Sequence, residues 1–186
     1  YTGGAIVKES GKVALDFDGG DALIASSVTI NGQRSDFAVT TIDDITRANG
    51  IFTTDRVNSV DRYAQNINFS ASTDPTAAMR NLSFTSSGGV VQILSDGVQQ
   101  GVRHLLNGEY SGTTLSGYID GVAKSSTTQT DQKTGTSDLA IGSSTLTNRD
   151  LLDGKIQELI TFQADKGSVR TSIESNIGDY FTQNTP

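Results

Sequence analysis

Cysteine is absent from this chain, so no disulfide or thiolate metal site holds the fold and thiol catalysis is excluded. Tryptophan is absent as well, which leaves 5 Tyr and 7 Phe as the only side chains able to stack on a sugar ring. It also excludes a sialidase of the Asp-box kind, whose repeated turn carries a Trp, although Arg56, Arg62 and Arg80 are present. With 1 His, multi-histidine metal sites are impossible, and a Ser-His-Asp triad would have to be built on His104. Basic residues are few and scattered: 14 Lys and Arg stand against 21 Asp and Glu, a net charge of −7. A nucleic-acid partner is therefore not expected, because phosphates need clustered cations to neutralise them. No apolar run reaches the roughly 18 residues of a membrane span, and no charged-then-apolar leader opens the chain. It starts at Tyr1 without a methionine, as expected of a processed product or a piece of a longer polypeptide.

What is there is glycine, 20 residues against 2 Pro, together with abundant Ser, Thr and Asn. That is the composition of many short strands joined by turns. Turn pairs recur at Gly19-Gly20, Asn31-Gly32, Asn49-Gly50, Gly88-Gly89, Asp96-Gly97, Asn107-Gly108, Asp120-Gly121 and Asp153-Gly154. Between them lie strand-length apolar alternations at residues 13–17, 37–42, 50–54, 64–70, 80–85, 90–94, 101–106, 114–119 and 139–142. Ten or more strands are too many for one open sheet of this size, so two packed antiparallel sheets are expected. Residues 124–138, KSSTTQTDQKTGTSD, read as a long loop within one domain spanning 1–186, and residues 71–78 as another. No repeat period appears, and 186 residues suffice for one core.

The stretch 139–181 carries a long strand and the one amphipathic helix. Residues 155–162 place Ile156, Glu158, Ile160 and Phe162 on one face and Gln157, Leu159 and Thr161 on the other. After Gly167, Ser168 is the expected N-cap, and Val169, Ile173, Ile177 and Phe181 form an apolar stripe. The fold class is all-β with one C-terminal α-helix.

GKVALDFDGGDALI at 11–24, FAVTTI at 37–42, LSGYIDGVA at 115–123, and LAIGSS followed by LLDGKIQELITF and a terminal helix resemble, in that order, laminin-G-like domains of the concanavalin A-like lectin and glucanase superfamily. The likeness covers nearly the whole chain and implies a jelly-roll β-sandwich. The most similar copies occur in phage tail, fibre and spike proteins and in bacterial surface proteins. A Trp-Tyr-Asp-Gln-Ser-Gly segment that often precedes the FDG strand in phage-type copies is missing. What the resemblance implies is a non-catalytic recognition or adhesion module on a virion or cell surface. It would bind host or surface glycans through rim loops, within a larger polypeptide or a homo-oligomer. The alternative is a structural decoration or assembly domain that contacts other virion or surface proteins, and a weaker one is a divergent glycan-cleaving enzyme.

Candidate residues follow from chemistry. Asp16, Asp18 and Asp21 around Gly19-Gly20 are a possible calcium site, since carboxylates and freed carbonyls suit a hard cation, although a tight turn explains them too. Laminin-G-like domains often hold one calcium at the rim. Asp120-Gly121 has the form of a type I′ hairpin turn. Glu158, among apolar neighbours, is the one carboxylate placed like a proton donor, but glycoside hydrolysis needs a second acid nearby and Glu9, Glu109 and Glu174 stand isolated in sequence. A structural acid is the reading preferred. His104 reads as a strand-surface residue. Ligand contacts are expected in loops around Tyr63, Asp74, Tyr110 and Arg149, with Tyr63 and Tyr110 as stacking platforms or loop anchors.

Overall fold

The computed structural model describes residues 5–30, 32–54, 66–69, 76–87, 89–146 and 150–182. The strands are β1 (Ala5–Glu9), β2 (Lys12–Asp18), β3 (Leu23–Ile30), β4 (Arg34–Ile42), β5 (Asn49–Thr53), β6 (Asn66–Phe69) and β7 (Thr76–Phe84). They continue as β8 (Val90–Gln99), β9 (Arg103–Tyr110), β10 (Thr114–Ile119), β11 (Val122–Thr128), β12 (Gly135–Ile141) and β13 (Asp153–Phe162). A single 3₁₀ turn (Gly167–Val169) leads into α1 (Arg170–Thr182). The strands pair antiparallel in two sheets, one of 7 in the order β1-β2-β13-β4-β9-β10-β11 and one of 6 in the order β3-β12-β5-β6-β7-β8.

Period-two patterning builds this directly. Along β4, Ala38 and Ile42 face the opposing sheet and join Phe17, Met79, Leu106 and Ile119 in the main core. Phe37 and Val39 face the other way and are covered by Ile177 and Phe181 of α1. The seven-stranded sheet is thus apolar on both faces at its centre, which is why β4 is buried along its whole length.

One end of the sandwich interior is polar. Arg34 is fully buried, donating from Nε to Asp36 Oδ2 at 3.1 Å and from Nη2 across the sheets to Asn81 Oδ1 at 3.2 Å. Asn81 Nδ2 in turn donates to the Ser116 carbonyl. Burying this ion pair costs hydration, and the bonds that span the sheets offset it while fixing their register.

Several expectations are corrected. Asn49-Gly50, Asp96-Gly97, Asn107-Gly108 and Asp153-Gly154 lie inside or at the start of strands. At Gly108 the reason is space: a Cβ there would lie 2.6 Å from Asn81 Nδ2. Asp120-Gly121 is the expected turn, with φ of 52° and 76°. Residues 124–138 are not one loop, because β11 runs to Thr128 and β12 starts at Gly135. Residues 76–78 belong to β7, and 71–75 lie outside the described residues. Ser168 does not cap the helix; the Gly167 amide donates to Asp165 Oδ1 at 2.8 Å, and Val169 is exposed.

Candidate functional site

The site grows out of β13. Pairing with β4 shifts between Ile156 and Glu158, a bulge that inserts Gln157 and reverses which side chains face which way. Ile156 consequently enters the core between the sheets, whereas Ile160 and Phe162 pack beneath the helix. The single face expected for Ile156, Glu158, Ile160 and Phe162 is broken at Gln157. Across the ladder Glu158 is opposite Val39, whose side chain packs under α1.

Helix α1 supplies the other wall. Its stripe of Ile173, Ile177 and Phe181 is seated on Phe37, Val39, Leu105, Ile160 and Phe162. Asn176 and Tyr180, one turn apart, flank that stripe with Asp179 beside them. Together with Glu158 and Ile177 they line an open cavity of about 420 Å³. Glu158 is half-buried, and loss of hydration alone pushes its carboxyl above the usual glutamate range. Tyr180 is 56% exposed, its ring edge-on to Phe181 with the Lys12 ammonium 3.9 Å from its centroid. Two carboxylates, an amide and a tyrosine therefore line a cavity sized for one small ring or two.

The N-terminal end of α1 holds a different cluster. Glu109 and Glu174, isolated in sequence, are both buried there, and each keeps one oxygen without a hydrogen-bond partner among the described residues. Arg170 pairs with Glu174 and lies over the Tyr118 ring, 4.0 Å from its centroid. Burial chiefly pushes the Glu109 carboxyl up to about 7; the Arg170 charge and a Tyr118 hydrogen bond pull it down, while Asp165 and Glu174 push it further up. A shallower depression of about 240 Å³ lies alongside, over Ser116, Tyr118, Ala123 and Ser126. The guanidinium of Arg170 already covers a face of Tyr118, the only aromatic ring in that lining.

Of the residues expected to contact ligand, Tyr63, Asp74 and Arg149 lie outside the described residues. Tyr110 is not in a loop. It ends β9 with 1% exposure, and its hydroxyl donates toward the Gly112 and Gln129 carbonyls, both at 3.0 Å, so it anchors the edge of the sandwich and offers no stacking face.

The three aspartates at the β2–β3 turn do not converge. Asp16 is drawn to Lys155 Nζ at 3.8 Å, and Asp18 Oδ1 accepts from the Gly20 amide. Asp21 is buried, its carboxyl raised by lost hydration and by Asp18. The Arg47 guanidinium packs on this turn and donates to the Leu151 carbonyl, placing a fixed cation beside it. Among the described residues no three acidic or histidine side chains are grouped to hold a metal ion.

His104 is buried rather than on the surface. Its Nε2 accepts from the Gln99 amide at 3.0 Å, so Nδ1 carries the proton and donates to Asp120 Oδ2 at 2.7 Å. Burial raises the Asp120 carboxyl, but bonds from His104 and the Leu105 amide outweigh it and hold the group below its ordinary value. Both ring nitrogens are thus committed, Nε2 to the end of β8 and Nδ1 to the β10–β11 turn.

No protein-family model matches the sequence, and no curated protein is similar enough to match it. Solved structures do match in fold. A native heptameric SAP-like pentraxin from Limulus polyphemus superposes with a TM-score of 0.67 at 12% identity, covering 89% of this chain and 82% of that one. Domain 4 of the extracellular GH43 arabinanase AbnA of Geobacillus stearothermophilus, solved with arabinotriose, gives 0.64 at 18% identity over 88% and 77%. Full-length tailspike protein 2 of an Escherichia coli O157:H7 bacteriophage gives 0.68 at 14%, over 92% of this chain and 26% of the tailspike. At such identities the likeness carries the fold alone: this chain is an antiparallel jelly-roll β-sandwich.

Proposed function

We propose that residues 1–186 form one non-catalytic glycan-recognition module of a larger extracellular or virion-borne assembly. The observation that carries this reading is the cavity between β13 and α1, where Glu158, Asn176 and Asp179 offer hydrogen-bonding groups beside the exposed ring of Tyr180. Sugar recognition needs that combination: acceptors and donors for hydroxyls, and an apolar face for the ring. The arabinanase domain with bound arabinotriose and the phage tailspike share the fold, which supports a carbohydrate ligand and a surface-attachment role. One shallow cavity implies modest affinity per copy, so attachment would depend on several copies acting together.

A glycan array probed with a multimerised form of the chain tests this. Binding to a defined glycan class is expected, falling by up to about tenfold for Tyr180→Ala, because a lost aromatic stack costs about 0.5–1.5 kcal/mol. Absence of any glycan ligand, with or without calcium, would remove the proposal. Glu158 and Asp179 share the cavity and burial raises the Glu158 carboxyl, so the same glycans should also be assayed for release of reducing ends. Release that vanishes in Glu158→Gln would make the module a hydrolase and overturn the non-catalytic reading.

A further inference from the structure

Helix α1 is seated unevenly. Ile177 and Phe181 secure its C-terminal half on Phe37 and Val39, whereas the one fully buried side chain of its N-terminal half is a carboxylate, Glu174, with Ile173 partly buried beside it. Glu109 of β9 lies under the entry to the helix, its Oε2 3.8 Å from where a Cβ on Gly167 would stand. Glu109 Oε1, Glu174 Oε1 and the Oδ1 of Asn107, two residues before Glu109 on the same face of β9, are all buried without a hydrogen-bond partner among the described residues. Orphan acceptors buried together under one helix mark a place short of protons.

The groups around Glu109 do not supply what an ionised carboxylate there needs. From α1, Arg170 acts on it as a cation but already pairs with Glu174 Oε2 and covers the Tyr118 ring, and Glu174 itself repels. From the segment before the 3₁₀ turn, Asp165 adds a further negative charge and takes the Gly167 amide, while the Lys166 ammonium lies over the Phe162 ring at 5.3 Å. Tyr118 of β10 gives Glu109 one hydrogen bond, and Asp120 beyond it is bonded to His104. The facing residue of β4 is the uncharged Ser35, whose hydroxyl accepts from the Lys166 amide, and Lys124 of β11 lies against Gly97 of β8. A proton on Glu109 removes one of three carboxylate charges that share a single arginine.

We propose that Glu109 is a proton latch for α1: protonated, it lets the N-terminal half of the helix lie on β9 and β10; ionised, it loosens that half while Ile177 and Phe181 keep the rest seated. Burial chiefly, with Asp165 and Glu174, raises this carboxyl to about 7. A group that holds its proton more tightly when the helix is seated favours the seated state below about pH 4 and loses that advantage as pH rises to about 7. Asn176, two residues beyond Glu174, lines the β13–α1 cavity, so the latch reaches that lining. The inference goes beyond the glycan-recognition reading and stands whether or not the cavity binds a sugar.

Amide hydrogen exchange of the 186-residue chain, followed by NMR and corrected for the intrinsic pH dependence of exchange, tests the latch. Between pH 5 and pH 8 the amides of residues 173–177 are expected to lose at least about tenfold in protection. At pH 8 their exchange should respond to low urea less than about half as steeply as that of β5 and β9, because the helix opens without the sheets. Glu109→Gln should hold helix protection nearly constant over the same pH range. In the unsubstituted chain, the carbon-13 shift of the Glu109 carboxyl should titrate near 7, in step with the loss of helix protection. Helix protection that ignores pH, the same loss in Glu109→Gln, or a urea response equal to that of the strands would overturn the latch. So would a Glu109 carboxyl that titrates in the ordinary glutamate range, a measurement that needs no variant.

Discussion

Glu109 Oε1 is buried without a hydrogen-bond partner among the described residues, and burial pushes this carboxyl up to about 7. The folded chain therefore holds the Glu109 proton more tightly than the unfolded chain, whose glutamates titrate near 4.3. Stability from this group is greatest below about pH 4, declines as pH rises toward about 7, and stays low above that, a loss on the order of 3 kcal/mol. Glu109→Gln mimics the protonated form, so it should raise the melting temperature at pH 8 by several degrees and leave it nearly unchanged at pH 4, as read by calorimetry at the two pH values. A rise of equal size at both would show that packing, not the charge, is responsible. Sequence could not reveal this residue, because Glu109 and Glu174 become neighbours only when α1 lies down on β9. Tyr110 teaches the reverse lesson: polar flanks suggested a loop, yet the ring is buried where the strand ends and its hydroxyl finds two carbonyls.

At the scale of elements, α1 was the most legible part of the chain. Isoleucines and a phenylalanine at four-residue spacing allow only one buried face, and Ile177 and Phe181 occupy it. Phe181→Ala should cost about 3 kcal/mol by opening a void against Phe37 and Val39, measured by chemical denaturation. Tyr180→Ala, next in sequence but exposed, should cost under about 1 kcal/mol and act on ligand binding instead. Equal losses from the two would mean that the cavity wall is part of the core. β13 was legible as a strand but not in its phase. Gln157 inserts one residue, and every side chain after it changes face relative to Ile156. No local pattern announces such a bulge, since it answers to the pairing with β4. The glycines inside strands were misleading for a similar reason: Asn-Gly reads as a turn, yet Gly108 is small because Asn81 arrives from the opposite sheet.

For the whole molecule, charge is the property that travels furthest. At a net charge of −7 the chain should pass unretained through a heparin column at low salt, whereas retention would reveal a basic face hidden by the average. Composition alone supports that expectation. So too with the fold class: alternating strands, hydroxyl-rich turns and one terminal stripe of apolar residues determined a sandwich closed by a helix, because periodicity is a local property written residue by residue. Which faces meet is not local. The Arg34–Asp36–Asn81 bridge through the interior, the commitment of His104 to Asp120, and the meeting of Glu158 with Asn176, Asp179 and Tyr180 all depend on strand order and on one bulge. Only the tertiary structure decided those, since each is set by partners distant in sequence that compete for the same buried space.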